Sequence, residues 1–238
     1  MRAIVLAAGV GKRFGKRTKA LPKCLIPLGS GKSTLLRRYL DSFRACDIKD
    51  VVIVVGHLKN KIKKECAAHN KGLKISFIEN KEYRKGSVLS LYTASKKMNS
   101  DILVMDADVY FPSEALQKLL DSGNKSAFLV DTRSKSSGEE MMLMAKNGRL
   151  HAIAKKLDPS LKIIGEATGI VKFNKKDATF LRKILADFVK EDNVFVEYED
   201  AYARLMKKVT LGVVKIGSLF WSEMDFEEDL NKILKAGC

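Results

Sequence analysis

Short aliphatic, β-branched runs alternate along the first half of the chain with stretches in which apolar residues recur every three or four positions. Ala3-Ile4-Val5-Leu6-Ala7 reads as a strand buried on both faces, and Val51 to Val55 and Lys74 to Ile78 read as two more. Between them, Leu35, Leu36, Tyr39, Leu40 and Phe43 share one face of a helix from about Ser33 to Ala45, with an N-cap at Ser33 or Thr34. Leu58, Ile62 and Cys66 mark a second helix. It carries His57 and His69, read as a helix-end polar residue and a surface residue. A strand-like Leu25 to Leu28 precedes the first helix, and Asp101 to Asp106 is a further apolar strand. Strand, helix, strand, helix, strand predicts a parallel sheet of the doubly wound α/β kind.

The second half turns antiparallel. Met141 to Ala145 and Leu150 to Ala154 flank Asn147-Gly148, a pair suited to a type I′ hairpin turn, with His151 on a strand face. Gly165 to Phe173 follows, and then a helix with Ala178, Leu181, Ile184, Leu185 and Phe188 on one side. The expected architecture is a Rossmann-like three-layer α/β/α fold with a mixed, mostly parallel sheet and a small antiparallel extension.

Composition narrows the class without naming the chemistry. At 238 residues and 46% hydrophobic content the chain can bury a sizeable core. It has no run of about eighteen apolar residues and no signal peptide before the first strand, so a cytoplasmic protein is expected. Cys24, Cys46, Cys66 and Cys238 are scattered, which argues against a zinc site or a disulfide framework. Forty-four basic against twenty-eight acidic residues give a net charge of +16 and a field that attracts polyanions. That field does not choose among nucleotides, phosphorylated metabolites and RNA, and a solvated lysine-rich surface explains most of it equally well. No basic stripe or aromatic RNA-binding motif stands out, so no nucleic-acid partner is expected.

Candidate chemistry begins right after the first strand. Gly9 and Gly11 allow backbone N–H groups to close around an anion, while Lys12, Arg13 and Lys23 supply charge for several phosphate oxygens. An ordinary βα loop with a solvated basic face is the plain alternative. A dinucleotide fingerprint fails because Phe14 stands where the third glycine of G-x-G-x-x-G belongs. Gly29-Ser30-Gly31-Lys32-Ser33-Thr34 imitates a P-loop, but the position of its first glycine is Ile26. The later Ile102-Leu103-Val104-Met105-Asp106 run imitates a Walker B strand, which keeps the P-loop ATPase open.

Acidic residues supply the second set of candidates. Asp106 and Asp108 stand two apart at the carboxyl end of that strand, on one side if the extended geometry persists. Hard oxygen ligands beside a triphosphate suit Mg²⁺. A capping aspartate plus a surface one is the alternative. Glu197-Tyr198-Glu199-Asp200-Ala201-Tyr202 gathers acids and aromatics at a helix start, where compensation of the helix dipole explains the acids as well as a binding role does.

Leu6-Ala7-Ala8-Gly9-x-Gly11-x-Arg13, then Pro22-Lys23-x-Leu25-x-Pro27-Leu28, resembles the signature of nucleotidyltransferases with the nucleotide-diphospho-sugar transferase fold. Trp221-Ser222-Glu223-Met224-Asp225 resembles that family's terminal motif, and the order of motifs is most similar to bacterial phosphocholine cytidylyltransferases and their relatives. The resemblance implies one domain over 1–238, with residues 1–110 binding the nucleotide and 111–238 the acceptor. It implies that Leu6, Ala7, Ala8, Gly9, Gly11, Lys12, Arg13 and Lys23 wrap a triphosphate, Arg13 and Lys23 being catalytic. Gly86 and Ser87 match the position of a nucleotide-covering loop but replace the family's asparagines. By the same resemblance Asp108 and Asp225 hold Mg²⁺, with Asp106 a second or outer ligand, and the substrates are CTP and a small phosphorylated acceptor. Glu166, Tyr198, Asp200 and Trp221 would form an anionic, aromatic pocket for an ammonium group. UTP or another donor, and a sugar-1-phosphate or inositol phosphate acceptor, stay open, as does assembly into a homo-oligomer.

Overall fold

The computed structural model describes residues 1–29 and 33–237. In chain order its elements are β1 (Arg2–Ala7), α1 (Arg17–Ala20), α2 (Leu35–Ala45), β2 (Asp50–Val55), α3 (Lys59–His69), β3 (Lys74–Glu79), α4 (Ser87–Thr93), β4 (Ile102–Asp106) and β5 (Val109–Tyr110). The second half adds α5 (Ser113–Leu120), β6 (Ala127–Asp131), β7 (Met142–Lys146), β8 (Arg149–Ala154), β9 (Lys162–Phe173), α6 (Lys175–Lys190), α7 (Tyr198–Met206), β10 (Gly212–Lys215), β11 (Ser222–Glu223) and α8 (Glu227–Lys235).

Alternation along β1 shows why the sheet is covered twice. Ala3, Val5 and Ala7 pack with residues of α2, α3, α5 and α8, whereas Ile4 packs with residues of α4, α6 and α7. A strand apolar at every position must bury both faces, and two helical layers do so. The main sheet runs β10-β6-β9-β4-β1-β2-β3, parallel except for β9, with the β7–β8 hairpin attached to β9. Register aligns the carboxyl ends at one rim, with Ala7 opposite Val55 and Leu6 opposite Asp106. In sheets of this kind ligands bind beyond that rim. The layered class, the parallel core and the antiparallel extension agree with the expectation.

Details differ where proline or a turn intervenes. Leu25 to Leu28 is no strand: Lys23–Leu25 is a 3₁₀ turn after Pro22, and Pro27 has no N–H for a ladder. Its apolar residues are nonetheless buried in the core. Thr34 caps α2, its hydroxyl accepting from the Arg37 amide at 3.2 Å. Ser30, Gly31 and Lys32 of the P-loop-like stretch, and Cys238, lie outside the described residues. His57 precedes α3 instead of belonging to it. Asn147 and Gly148 both have positive φ, 50° and 75°, as a type I′ turn requires. No helix among the described residues is long and apolar enough to cross a membrane.

Candidate active site

Past β1 the chain turns through Gly9 into a loop clasped from below. Gly11 takes a left-handed conformation, φ 66°, to start the 3₁₀ turn Lys12–Phe14. The hydroxyl of Thr18, only 2% exposed, lies 2.9 and 3.1 Å from the Gly11 and Gly15 carbonyls. His57 holds both ends of this segment: its amide donates to the Ala8 carbonyl at 3.0 Å, and its Nε2 lies 2.9 Å from the Thr18 carbonyl. A carbonyl accepts only, so that contact places a proton on Nε2. Leu6, Ala8, Gly9, Arg13 and Ser87 line a cleft of about 910 Å³. Ala7 is buried beneath it and Lys12 is exposed. Gly11 packs toward Thr18 and Lys23. Gly86 has another reason to be glycine: a Cβ there would meet the Val196 carbonyl at 2.0 Å, so it admits the 194–196 segment, whose Val194 carbonyl accepts from its amide.

A small ribbon builds the acidic centre. β5 pairs antiparallel with β11, Val109 opposite Glu223, and the Met224 amide donates to the Asp108 carbonyl at 2.8 Å. With Met224 buried, Glu223 and Asp225 flank it, and ligand oxygens of Asp108, Glu223 and Asp225 all lie within 4.8 Å of one another. Lys23 Nζ stands between two of them, 2.7 Å from Asp108 Oδ2 and 2.7 Å from Asp225 Oδ1. Arg13 Nη2 approaches Asp225 Oδ2 at 2.6 Å. Burial alone would depress the Lys23 ammonium, but the charges and hydrogen bonds of Asp108 and Asp225 outweigh it and hold the group well above its ordinary value. Burial, then Asp108 and Asp225, push the Glu223 carboxyl up to about 9. Two carboxylates that already clasp one cation, with Glu223 as a third hard oxygen donor beside them, fit a divalent ion. Glu223 stands inside the sequence motif that pointed to Asp225, yet only the ribbon register reveals it.

Asp106 does not join this group. Its strand ends there, Asp108 lies in the following turn, and the Tyr198 hydroxyl donates to Asp106 Oδ2. Burial first, then the charges of Asp108 and Glu199, raise the Asp106 pKa well above the carboxylate range. The rings of Tyr198 and Tyr202 lie 5.1 Å apart, and both line the cleft with Glu199. The Tyr202 hydroxyl is buried without a hydrogen-bond partner among the described residues. Asp200 is exposed and away from the cleft wall; Glu199, its neighbour one position earlier on α7, faces in. Of the four residues expected to cage an ammonium, Glu166, Tyr198 and Trp221 line this one cleft and Asp200 does not.

Burial pushes the Glu199 carboxyl up to about 8. The folded state therefore holds a proton that the unfolded chain releases near its ordinary value of 4.5, and stability from this group falls as pH rises between the two. Glu199→Gln accordingly melts higher than the parent at about pH 8 and equally at about pH 4. Differential scanning fluorimetry across pH checks this; an unchanged gap would show that Glu199 ionises normally.

The model of the MobA-like NTP transferase domain matches residues 3–166, from β1 into β9 and across the cleft just described. The chain belongs to this family of NTP transferases. This NTP transferase is 25% identical over 240 residues to the choline-phosphate cytidylyltransferase of Haemophilus influenzae, covering 99% of this chain and 97% of that one. It is 25% identical over 260 residues to the CTP:phosphoglutamine cytidylyltransferase of Campylobacter jejuni, covering 97% and 98%. Against the CMP-5'-(3-aminopropyl)phosphonate synthase of Streptomyces rubellomurinus identity is 29% over 128 residues, with only 20% of that longer chain spanned. In fold it superposes on the CTP:phosphocholine cytidylyltransferase of Streptococcus pneumoniae with a TM-score of 0.77 at 19% identity, over 99% and 98% of the two chains.

Proposed function

We propose that this NTP transferase is a cytoplasmic, Mg²⁺-dependent cytidylyltransferase that moves CMP from CTP to a small phosphorylated aminoalcohol or aminophosphonate, releasing pyrophosphate. The observation that carries the reading is the convergence of Asp108, Glu223 and Asp225 on Lys23 and Arg13, beside the clasped glycine loop. Relatives named as cytidylyltransferases of choline-phosphate and 2-aminoethylphosphonate, and one named for CTP and phosphoglutamine, support it. The acceptor's phosphate or phosphonate oxygen attacks the α-phosphorus in line, so catalysis consists of alignment and charge stabilisation. Asp108, Glu223 and Asp225 would hold the divalent ion, which when bound offsets phosphate charge beside the nucleophile. Gly9 leaves open space for the triphosphate, and Arg13 and Lys23 exchange carboxylate partners for phosphate oxygens and stabilise the departing pyrophosphate.

Glu166 and Glu199 line the cleft with Trp221, Tyr198 and Tyr202, and burial raises the pKa of both acids, so each lacks a cation of its own among the described residues. An ammonium group satisfies that lack, and an adjacent aromatic ring adds up to about 2 kcal/mol when the pair is desolvated. A pyrophosphate-release screen crossing the nucleoside triphosphates with phosphocholine, aminoethylphosphonate, inositol phosphate and sugar-1-phosphates tests the reading. Turnover with CTP and an amine-bearing acceptor is expected. Turnover only with a sugar or inositol phosphate would overturn the acceptor assignment. Lys32→Ala leaves the parental rate nearly unchanged; loss of nucleotide chemistry in that variant alone would favour a P-loop ATPase.

A further inference from the structure

Asp131 ends β6 beside the acceptor side of the cleft, 7% exposed, and every acceptor position on its carboxylate is taken. Oδ1 accepts from the Arg133 amide at 2.8 Å and from Arg133 Nε at 2.9 Å; Oδ2 accepts from Arg133 Nη2 at 2.8 Å and from Trp221 Nε1 at 2.8 Å. Four hydrogen bonds fill the lone pairs of a carboxylate, so none remains for a ligand. Arg133 Nη2 reaches on to the Leu219 carbonyl at 3.2 Å, tying the loop after β6 to the loop before β11. Glu166 is the cross-strand neighbour of Asp131, and Ser134, the next residue of the first loop, lines the same cleft. Trp221, Arg133, Ser134 and Glu166 thus face the cleft as parts fixed to one buried charge.

We propose that Asp131 is a positioning residue for the acceptor: it touches no substrate, but sets the plane of Trp221 and ties down the Arg133 loop on the wall it shares with its cross-strand neighbour Glu166. The inference rests on the acceptor side assigned under the proposed function. A shifted wall loses acceptor affinity while the glycine loop and the acidic centre, built on β1, β4 and the β5–β11 ribbon, stay in place. A wall no longer held by that charge loses contacts made equally in the bound and reacting states, so Asp131→Ala raises the KM for the acceptor by between about tenfold and a hundredfold. kcat and the KM for the nucleotide remain within about threefold of the parent, because uniform binding alone is lost.

Trp221 is the only tryptophan of the chain, so its emission reports the hub without any substrate. Asp131→Ala and, less strongly, Arg133→Ala should shift the emission of the ligand-free protein to the red and make it more accessible to acrylamide. Asp131→Asn, which still accepts from the indole, should restore part of both the emission and the acceptor KM. If Asp131→Ala does not fold, Asp131→Asn and Arg133→Ala decide. Unchanged emission overturns the hub, and changed emission with an unchanged acceptor KM overturns its role in recognition. A fall in melting temperature alone, with both readouts at parental values, leaves Asp131 structural and also overturns the proposal. Absence of turnover by the parent with every acceptor refutes the proposed function instead, since the emission test needs no reaction.

Discussion

Asp225→Asn lowers kcat/KM for pyrophosphate release by about a hundredfold to a thousandfold while leaving the fold intact, the scale set by removing one preorganised charge-stabilising group. The substitution keeps the shape of the side chain and an oxygen able to accept from Lys23, so the β5–β11 ribbon should persist, as should the start of α8, where the Asp225 and Phe226 amides donate to Asp229. What disappears is a negative charge that Lys23 and Arg13 both approach, at 2.7 and 2.6 Å. The remaining Asp108 and Glu223 would bind a divalent ion with fewer charges and less fixed geometry. Steady-state pyrophosphate release, paired with circular dichroism of the same preparation, checks the expectation. A variant that turns over within a few-fold of the parent would move the reaction centre elsewhere.

Lys23→Ala has the next largest effect, and it is double. Turnover falls because the ammonium is no longer there to meet the leaving pyrophosphate. Stability falls as well: Lys23 is 11% exposed, and deleting one partner of a buried ion pair costs about 3–5 kcal/mol, less here because Arg13 still faces Asp225. The removed ammonium vacates the place between Asp108 and Asp225 that a metal would take. Without nucleotide, added Mg²⁺ should therefore raise the melting temperature of Lys23→Ala more than that of the parent and narrow the gap between them. A gap that ignores Mg²⁺ across a wide titration would count against a cation site at these carboxylates.

What the sequence made legible was whatever depends on neighbours along the chain. The buried runs of β1, β2 and β4 and the amphipathic face of α2 follow from periodicity, and the Asn147-Gly148 turn from the φ angles that pair tolerates. Residues brought together by register were harder. Asp106 and Asp108 look equivalent as a spaced pair, but one ends a strand and the other lies in a turn, so they face different partners, Tyr198 and Lys23. Glu199 and Asp200 are adjacent on a helix, and roughly 100° of rotation separates a cleft wall from solvent. Gly86 has φ −63°, so no left-handed turn explains it; the cause is a backbone segment more than a hundred residues away. Asp131 gave no signal at all, since its significance comes from four hydrogen bonds and no motif contains it.

The twelve-residue β9 has a consequence for dividing this protein. It pairs with β4 along Met105 to Ile102, with β6, and at its other end with β7, so one beam underlies both the floor near the acidic centre and the hairpin wall. A fragment cut after residue 110 would leave β4 with a bare edge of apolar residues, an invitation to pair with another molecule. Split halves of this chain should precipitate when made separately and regain solubility only when co-expressed, whereas permuted versions that keep β9 seated should behave as the parent does.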